Sequence, residues 1–161
     1  MKMKYIFGVL ALFCASIAAA GVDNALADGS KVSQVAVTVS AVNDEWTATN
    51  IKVVPGDILL TVEQGNKIVV GSYLGSTGAD GLAQNKNIEG VQLTIGALQL
   101  KIGSGAAQRI GAKGFVIVNE TGKVKLRVYD TNYQDNSGEF KVHIIRIPGG
   151  LIPPPVDVVA E

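Results

Sequence analysis

The most oxygen-rich segment of the chain runs from Asp130 to Gly138 and reads Asp-Thr-Asn-Tyr-Gln-Asp-Asn-Ser-Gly. Calcium is a hard cation that takes about six to eight oxygen atoms from carboxylates, amide carbonyls and the backbone. The segment could therefore wrap a calcium ion. It is not an EF-hand loop, because the twelfth position is Lys141, where that motif needs a bidentate Glu. The same residue types dominate ordinary hairpin turns, so the residues alone leave a calcium site and a simple turn both open.

Residue types that commonly perform catalysis are sparse. The sequence has a single histidine, His143, in the middle of a predicted strand. It contains no Gly-x-Ser-x-Gly elbow, P-loop, His-Glu-x-x-His or Cys-x-x-Cys motif. Zinc would normally need several His or Cys ligands. We therefore predict that the protein is not an enzyme.

The N-terminal residues have the pattern of a secretory signal. Lys2 and Lys4 precede an almost wholly apolar run, residues 5–21, which is followed by the small-x-small site Ala25-Leu26-Ala27. The single cysteine, Cys14, lies inside the apolar run. The pattern predicts a signal peptide over residues 1–27 and a secreted or periplasmic protein. No membrane span is expected after the signal peptide is cleaved.

Charge is balanced and dispersed along the chain. The full sequence has 14 basic and 14 acidic residues, and without residues 1–27 the net charge is near −1. No block of like charge occurs in the sequence. Because phosphate binding needs a basic patch, we predict no nucleic-acid partner.

Strand patterns dominate the rest of the chain. Apolar residues alternate with polar ones, or form short apolar runs between turn signals, as strands do. These segments are 35–39, 51–54, 58–62, 67–72, 91–95, 98–102, 115–118, 123–129 and 140–144. Seven to nine short strands predict an all-β, antiparallel sandwich or jelly roll.

Two segments lack this pattern. Residues 72–90 are rich in glycine and predict a long loop of the kind that often carries binding residues. From Pro148 onward, the run of Pro and Gly predicts an extended tail over residues 148–161. The predicted domain is therefore residues 28–147.

Several segments resemble the PA-I type galactophilic lectins. The first is Gly96-Ala97-Leu98-Gln99-Leu100-Lys101-Ile102-Gly103. The second begins at Val128-Tyr129-Asp130 and continues through Asp135-Asn136-Ser137-Gly138-Glu139-Phe140-Lys141-Val142. The N-terminal half adds the Trp46-Thr47-Ala48-Thr49 segment, which leads to residues 54–58, and Gly71-Ser72-Tyr73. These segments follow the family's order over residues 35–147.

The resemblance implies a galactose-binding-like jelly roll with a calcium site at one end. By position, the side-chain ligands of the ion would be Asp130, Asp135 and Asn136. Backbone carbonyls would come from Tyr73 and from a residue near Asn132 or Tyr133. In the family, galactose hydroxyls complete the coordination shell. The expected partner is therefore a glycan, with galactose as the candidate sugar, held at Tyr73, Asp130, Asp135 and Asn136.

The chain also departs from the family pattern. Residues 80–87 contain neither His nor Pro, where the galactophilic lectins have a His-Pro-x-Gln segment that contacts the sugar. The alternative is a non-catalytic interaction domain of the same fold, in which the Asp and Asn residues form only a turn or a stabilising calcium site. Trp46 could stack on a sugar ring or pack against the domain. The sequence leaves open whether the protein forms an oligomer.

Overall fold

The computed structural model describes residues 31–82, 85–88 and 91–151. The predicted signal peptide and the last ten residues of the predicted tail lie outside these ranges. Within the described part of the chain, no helix has the length and hydropathy that a membrane crossing requires.

All strand pairs among the described residues are antiparallel. In chain order the strands are β1 Ser33–Ser40, β2 Thr47–Val53, β3 Ile58–Glu63, β4 Ile68–Val70, β5 Ser76–Thr77, β6 Asn85–Ile88, β7 Val91–Thr94, β8 Leu98–Ile102, β9 Gln108–Arg109, β10 Lys113–Ile117, β11 Gly122–Val128, β12 Asn136–Ser137 and β13 Glu139–Ile147.

Two four-stranded sheets make the sandwich. One sheet has the strand order β1-β13-β3-β10, and the other has the order β2-β11-β8-β9. A small sheet, β12-β4-β5, and a hairpin of β6 with β7 complete the described strands. The predicted all-β, antiparallel sandwich is confirmed.

Alternation of side chains builds the core. In β11, Val124, Leu126 and Val128 are fully buried, whereas the intervening Lys125 and Arg127 are only half-buried. Successive strand residues point to opposite faces, so one face of each sheet can be apolar and the other polar. The largest fully buried side chains come from both four-stranded sheets and from β4, and they are Phe140, Leu59, Ile68, Leu98, Leu100, Leu126 and Ile144.

The nine predicted strand segments all overlap observed strands, but four short strands were not predicted. These are β5, β6, β9 and β12, which have two to four residues each. A segment of this length is too short to show a period of two, and it forms only because a neighbouring strand offers backbone partners. Residues 72–90, predicted as one long loop, therefore contain β5 and β6.

Asp57 and Arg146 form a buried ion pair near the end of β13. Asp57 is 1% exposed, and its Oδ2 accepts a hydrogen bond from Arg146 Nε at 2.6 Å. The same carboxylate accepts the backbone N–H of Val54 at 2.9 Å and that of Gly149 at 3.3 Å. Burial raises the pKa of Asp57, but the interactions with Arg146, Val54 and Gly149 outweigh it, and the net pKa lies below the ordinary value.

These contacts fix the end of the last strand. Residues Gly149–Leu151 form one turn of 3-10 helix. A side chain at Gly149 would meet the backbone oxygen of Gly56, so the chain passes directly over that turn. The first residues of the predicted tail therefore pack on the domain. The boundary at residue 147 stays a prediction.

We expect Asp57→Ala to lower the free energy of unfolding by about 3–5 kcal/mol, because it leaves the Arg146 guanidinium buried without its carboxylate. The contribution of Asp57 is complete above the unfolded pKa of about 4. It is lost as pH falls through the lower folded pKa. Urea unfolding between pH 7 and pH 2 measures both effects. Replacing both partners, as Asp57→Ala with Arg146→Met, should cost less than the sum of the single changes. Strict additivity would contradict a coupled pair.

Candidate functional site

The oxygen-rich segment lies at one end of the sandwich, between β11 and β13. We call residues 130–138 the Asx loop. Its β12 portion pairs with β4, so that Asn136 lies opposite Val70 and Ser137 opposite Val69. This pairing brings the Asx loop beside residues 71–75, the turn that joins β4 to β5, which we call the 71–75 turn.

Asp130 organises the first half of the Asx loop. Its Oδ1 accepts the backbone N–H of Thr131 at 2.6 Å and that of Asn132 at 3.2 Å. Its Oδ2 accepts the side-chain amide of Asn136 at 2.9 Å. A carboxylate has about four lone-pair positions, so these three hydrogen bonds leave limited capacity for a further ligand.

Asn136 connects three segments of the chain and is 7% exposed. Its Nδ2 donates to the carbonyl of Ala41 at 3.0 Å and to Asp130 Oδ2 at 2.9 Å. Both partners are acceptors, which fixes which end of the amide is nitrogen. The other end, Oδ1, is buried and has no hydrogen-bond partner among the described residues. An unsatisfied buried acceptor is costly and indicates that a donor or a cation belongs beside it.

Asp135 is exposed and lies against the 71–75 turn. A Cβ built on Gly71 would come within 2.8 Å of Asp135 Oδ2, and Gly71 has a φ of +78°. No described residue donates a hydrogen bond to the Asp135 carboxylate, so its oxygens are open to solvent. Tyr73 lies two residues after Gly71 in the same turn and is 99% exposed. The turn itself is closed by the Gly75 N–H, which donates to the Gly71 carbonyl at 3.3 Å.

Tyr133 holds the Asx loop against the end of β11. Its hydroxyl donates to the Val128 carbonyl at 3.0 Å and accepts the Asp130 N–H at 3.1 Å. Burial raises the pKa of the Tyr133 hydroxyl, which therefore stays protonated at neutral pH. Asn132 is also committed to the loop, because its Oδ1 accepts the Gln134 N–H at 3.3 Å.

The oxygen atoms gathered here suit a hard cation of the calcium type. The site has two carboxylates, Asp130 and Asp135, and one orphan amide oxygen on Asn136. Among the described residues, no group of three or more His, Cys, Asp or Glu side chains could hold a metal. A cation at this position would therefore depend on neutral oxygens as well as on carboxylates.

The structure brings most of the predicted site residues to one end of the sandwich. Asp130 and Asn136 touch, Asn132 donates to Asp130, and Asp135 adjoins the turn that holds Tyr73. Their role as metal ligands stays a prediction. Sequence reasoning missed the contribution of Ala41, whose carbonyl accepts from a residue 95 positions away. No local pattern could have indicated that contact.

A comparison with solved structures finds a similar chain, described as the EclA N-terminal domain, a PllA-like lectin. The superposition has a TM-score of 0.56 and 25% sequence identity, and it covers 69% of this chain and 94% of that chain. The sandwich is lectin-like. Comparisons with protein-family profiles and with curated proteins give no match. The similar chain is described as a lectin and not as an enzyme.

We expect Tyr133→Phe to lower the free energy of unfolding by about 1–3 kcal/mol, because the Asp130 N–H and the Val128 carbonyl both lose their partner. Urea unfolding measures the loss. Tyr73→Phe is the matched control, since that side chain is almost fully exposed, and its effect should stay within about 0.5 kcal/mol. Equal losses in the two variants would contradict the role of the Tyr133 hydroxyl.

Proposed function

We propose that the protein is an exported, calcium-assisted carbohydrate-binding domain of the PA-I type. The observation that carries the proposal is the buried Asn136 Oδ1, which has no hydrogen-bond partner among the described residues. It lies in a loop that also holds Asp130 and Asp135. The likeness to a lectin domain supports a glycan as the ligand.

Each proposed ligand would contribute differently. Asn136 would offer its orphan Oδ1, and Asp135 a carboxylate that no described residue uses. Asp130 would supply its remaining lone-pair position while it holds the loop. Carbonyl oxygens from Tyr73 and Asn132 would extend the set, since no described residue donates a hydrogen bond to either carbonyl. Oxygen ligands of mixed charge, partly from the backbone, are typical of calcium sites.

The sugar would bind where the site opens to solvent. A calcium ion bound there would present open coordination positions to two neighbouring hydroxyls of a sugar such as galactose. The exposed Tyr73 ring adjoins this opening and offers an apolar face with a polar tip, as side chains at recognition surfaces often do. Hydrogen bonds from exposed loop residues such as Thr131 and Gln134 would then decide between sugars.

A second function is favoured by the hydrogen bonds within the Asx loop. The Asn136 amide already donates to the Ala41 carbonyl and to the Asp130 carboxylate. The loop could therefore be held as it is, with calcium only adding stability to an interaction domain that binds no sugar. The two functions differ in one outcome, because only the first gives calcium-dependent glycan binding.

We expect calcium to raise the melting temperature by about 10 °C at a concentration of roughly 100 times its Kd, and EDTA to reverse the rise. Asp135→Asn should weaken calcium binding by about tenfold, because it removes a charge that does not support the fold. Its melting temperature in EDTA should match that of the unaltered protein. Glu120→Gln, at the far end of β11, is the control and should titrate calcium normally.

A glycine pair tests the position of Asp135 independently. Gly71→Ala and Gly65→Ala both place alanine at a positive φ, +78° and +83°, and should lose similar stability. Only Gly71→Ala pushes the Asp135 carboxylate aside, so only this variant should lose calcium affinity. Calcium titrations that match in both variants would contradict the assignment of Asp135. Binding to galactosides on a glycan array that persists in EDTA would contradict calcium assistance.

Export is proposed from the sequence pattern of residues 1–27. Expression of the full chain in a Gram-negative host should give a product in the periplasm or the medium that begins at Asp28. Intact-mass measurement of the fractionated protein checks this outcome. A full-length chain that stays in the cytoplasm would contradict export.

A further inference from the structure

The outer face of the sheet β2-β11-β8-β9 carries charge of one sign. Every charged residue on these four strands is basic. We call this surface the basic face, and its residues are Lys52, Lys101, Arg109, Lys123, Lys125 and Arg127. The whole chain has a net charge of zero, so positive charge is concentrated on this face by the fold. The strands of the other sheet carry both signs, for example Glu139 and Lys141 on β13.

The strand register places lysines directly opposite one another on neighbouring strands. Lys52 lies directly opposite Lys123, and Lys101 lies directly opposite Lys125. Like charges in this arrangement destabilise an antiparallel pair. No described carboxylate forms an ion pair with any of these four side chains. This arrangement does not stabilise the fold. Departures of this kind are expected at functional sites, so the lysine pairs indicate a role in binding.

Trp46 fixes two cations of the basic face in place. Lys101 Nζ lies 4.4 Å from the centroid of the ring, and Arg127 Cζ lies 4.5 Å from it. Such cation–π contacts orient a long side chain and lower the entropy that it loses when it binds. Arg127 also donates to Gln99 Oε1 at 3.2 Å, while its buried Nε has no hydrogen-bond partner among the described residues.

The acidic residues beside the basic face do not neutralise its positive charge. Asp44 and Glu45 precede Trp46 and are exposed, but neither forms an ion pair with a residue of the face. Arg109 is the exception among the cations, because its Nη2 lies 4.0 Å from Asp80 in a largely exposed pair. Surface pairs of this kind contribute little, so Arg109 stays available to a ligand.

We propose that the basic face is a second binding site, for an acidic polysaccharide that carries sulfate or carboxylate groups. It lies on the strands of the sheet and not in the Asx loop, although Arg127 is close enough for its charge to act on the Tyr133 hydroxyl, and it needs no metal. The requirement for negative charge comes from the lysine pairs, while the choice of a glycan rests on the proposed carbohydrate-binding function. Adjacent strands lie about 4.8 Å apart, so the face presents cations in rows that a repeating polyanion can follow.

Two other polyanions fit the face less well. Single-stranded nucleic acid binds through bases stacked on free aromatic rings, and the Trp46 ring is already covered by cations. Membrane surfaces favour apolar side chains beside the charges. The exposed apolar residues Phe115 and Ile117 lie on β10, in the other sheet, and not on the basic face.

The test measures binding to dextran sulfate and to alginate, with neutral dextran as the matched probe, in excess EDTA. We expect both acidic polymers to bind, neutral dextran not to bind, and affinity to fall steeply with salt. Lys101→Gln with Lys125→Gln, and separately Lys52→Gln with Lys123→Gln, should each weaken binding by about tenfold. Without polymer, the Lys52→Gln, Lys123→Gln variant should melt at the same temperature as the unaltered protein or higher, because a repulsive pair is removed. The Lys101→Gln, Lys125→Gln variant also loses the contact of Lys101 with Trp46 and should melt within a few degrees of the unaltered protein.

The control is Lys113→Gln with Lys141→Gln, which removes the same charge from the other sheet and should bind normally. An equal loss in the control would overturn the proposal, as would the absence of binding to both acidic polymers. Tighter binding to DNA or to phosphatidylglycerol vesicles would also overturn it. Because the measurement is made in EDTA, failure here leaves calcium-dependent glycan binding unaffected, and failure of the calcium site leaves this result unaffected.

Discussion

Two sheets that share one apolar core impose a single constraint on every long strand. Alternate side chains must enter the core, so the intervening side chains must face solvent. In β11 the buried Val124, Leu126 and Val128 force Lys123, Lys125 and Arg127 outward. Burial of apolar surface contributes a free energy of about 25 cal/mol per Å². This contribution fixes the orientation, because reversing it would expose the apolar side chains and bury the cations. The basic face is a consequence of the same register that makes the core.

The sandwich also determines what its ends can do. The backbone N–H and C=O groups at the end of a strand need hydrogen-bond partners. At the end of the sandwich that holds the Asx loop, β12 provides these partners to β4. The short pairing holds the Asx loop beside the 71–75 turn, and the Asn136 amide holds it to Ala41. The loop is therefore positioned by hydrogen bonds that need no ion. The orphan Asn136 oxygen and the exposed Asp135 carboxylate are thus carried on a loop that the sandwich holds in place, as binding residues on a rigid scaffold often are.

The two surfaces would divide recognition between them. The Asx loop offers a few oxygen atoms at a defined point, which suits one sugar residue. The basic face offers charge spread over four strands, which suits the repeating units of a polymer. Linking a specific weak site to a second, electrostatic one raises overall affinity when one ligand can reach both. A lectin-like domain with both surfaces would favour acidic polysaccharides over neutral ones that carry the same terminal sugar.

The sequence by itself determined the fold class, because periods of two and turn residues are local properties that each strand carries. It also singled out the oxygen-rich segment, since residue types are visible along the chain, and the family resemblance named Asp130, Asp135 and Asn136 as candidate ligands, a role that stays a prediction. It did not show β12, the contact of Asn136 with Ala41, or the lysine pairs. Lys52 and Lys123 are far apart in sequence, and the chain shows no block of like charge. Only strand pairing in the folded sheet places them opposite each other, because sheet register is set by burial across the whole core.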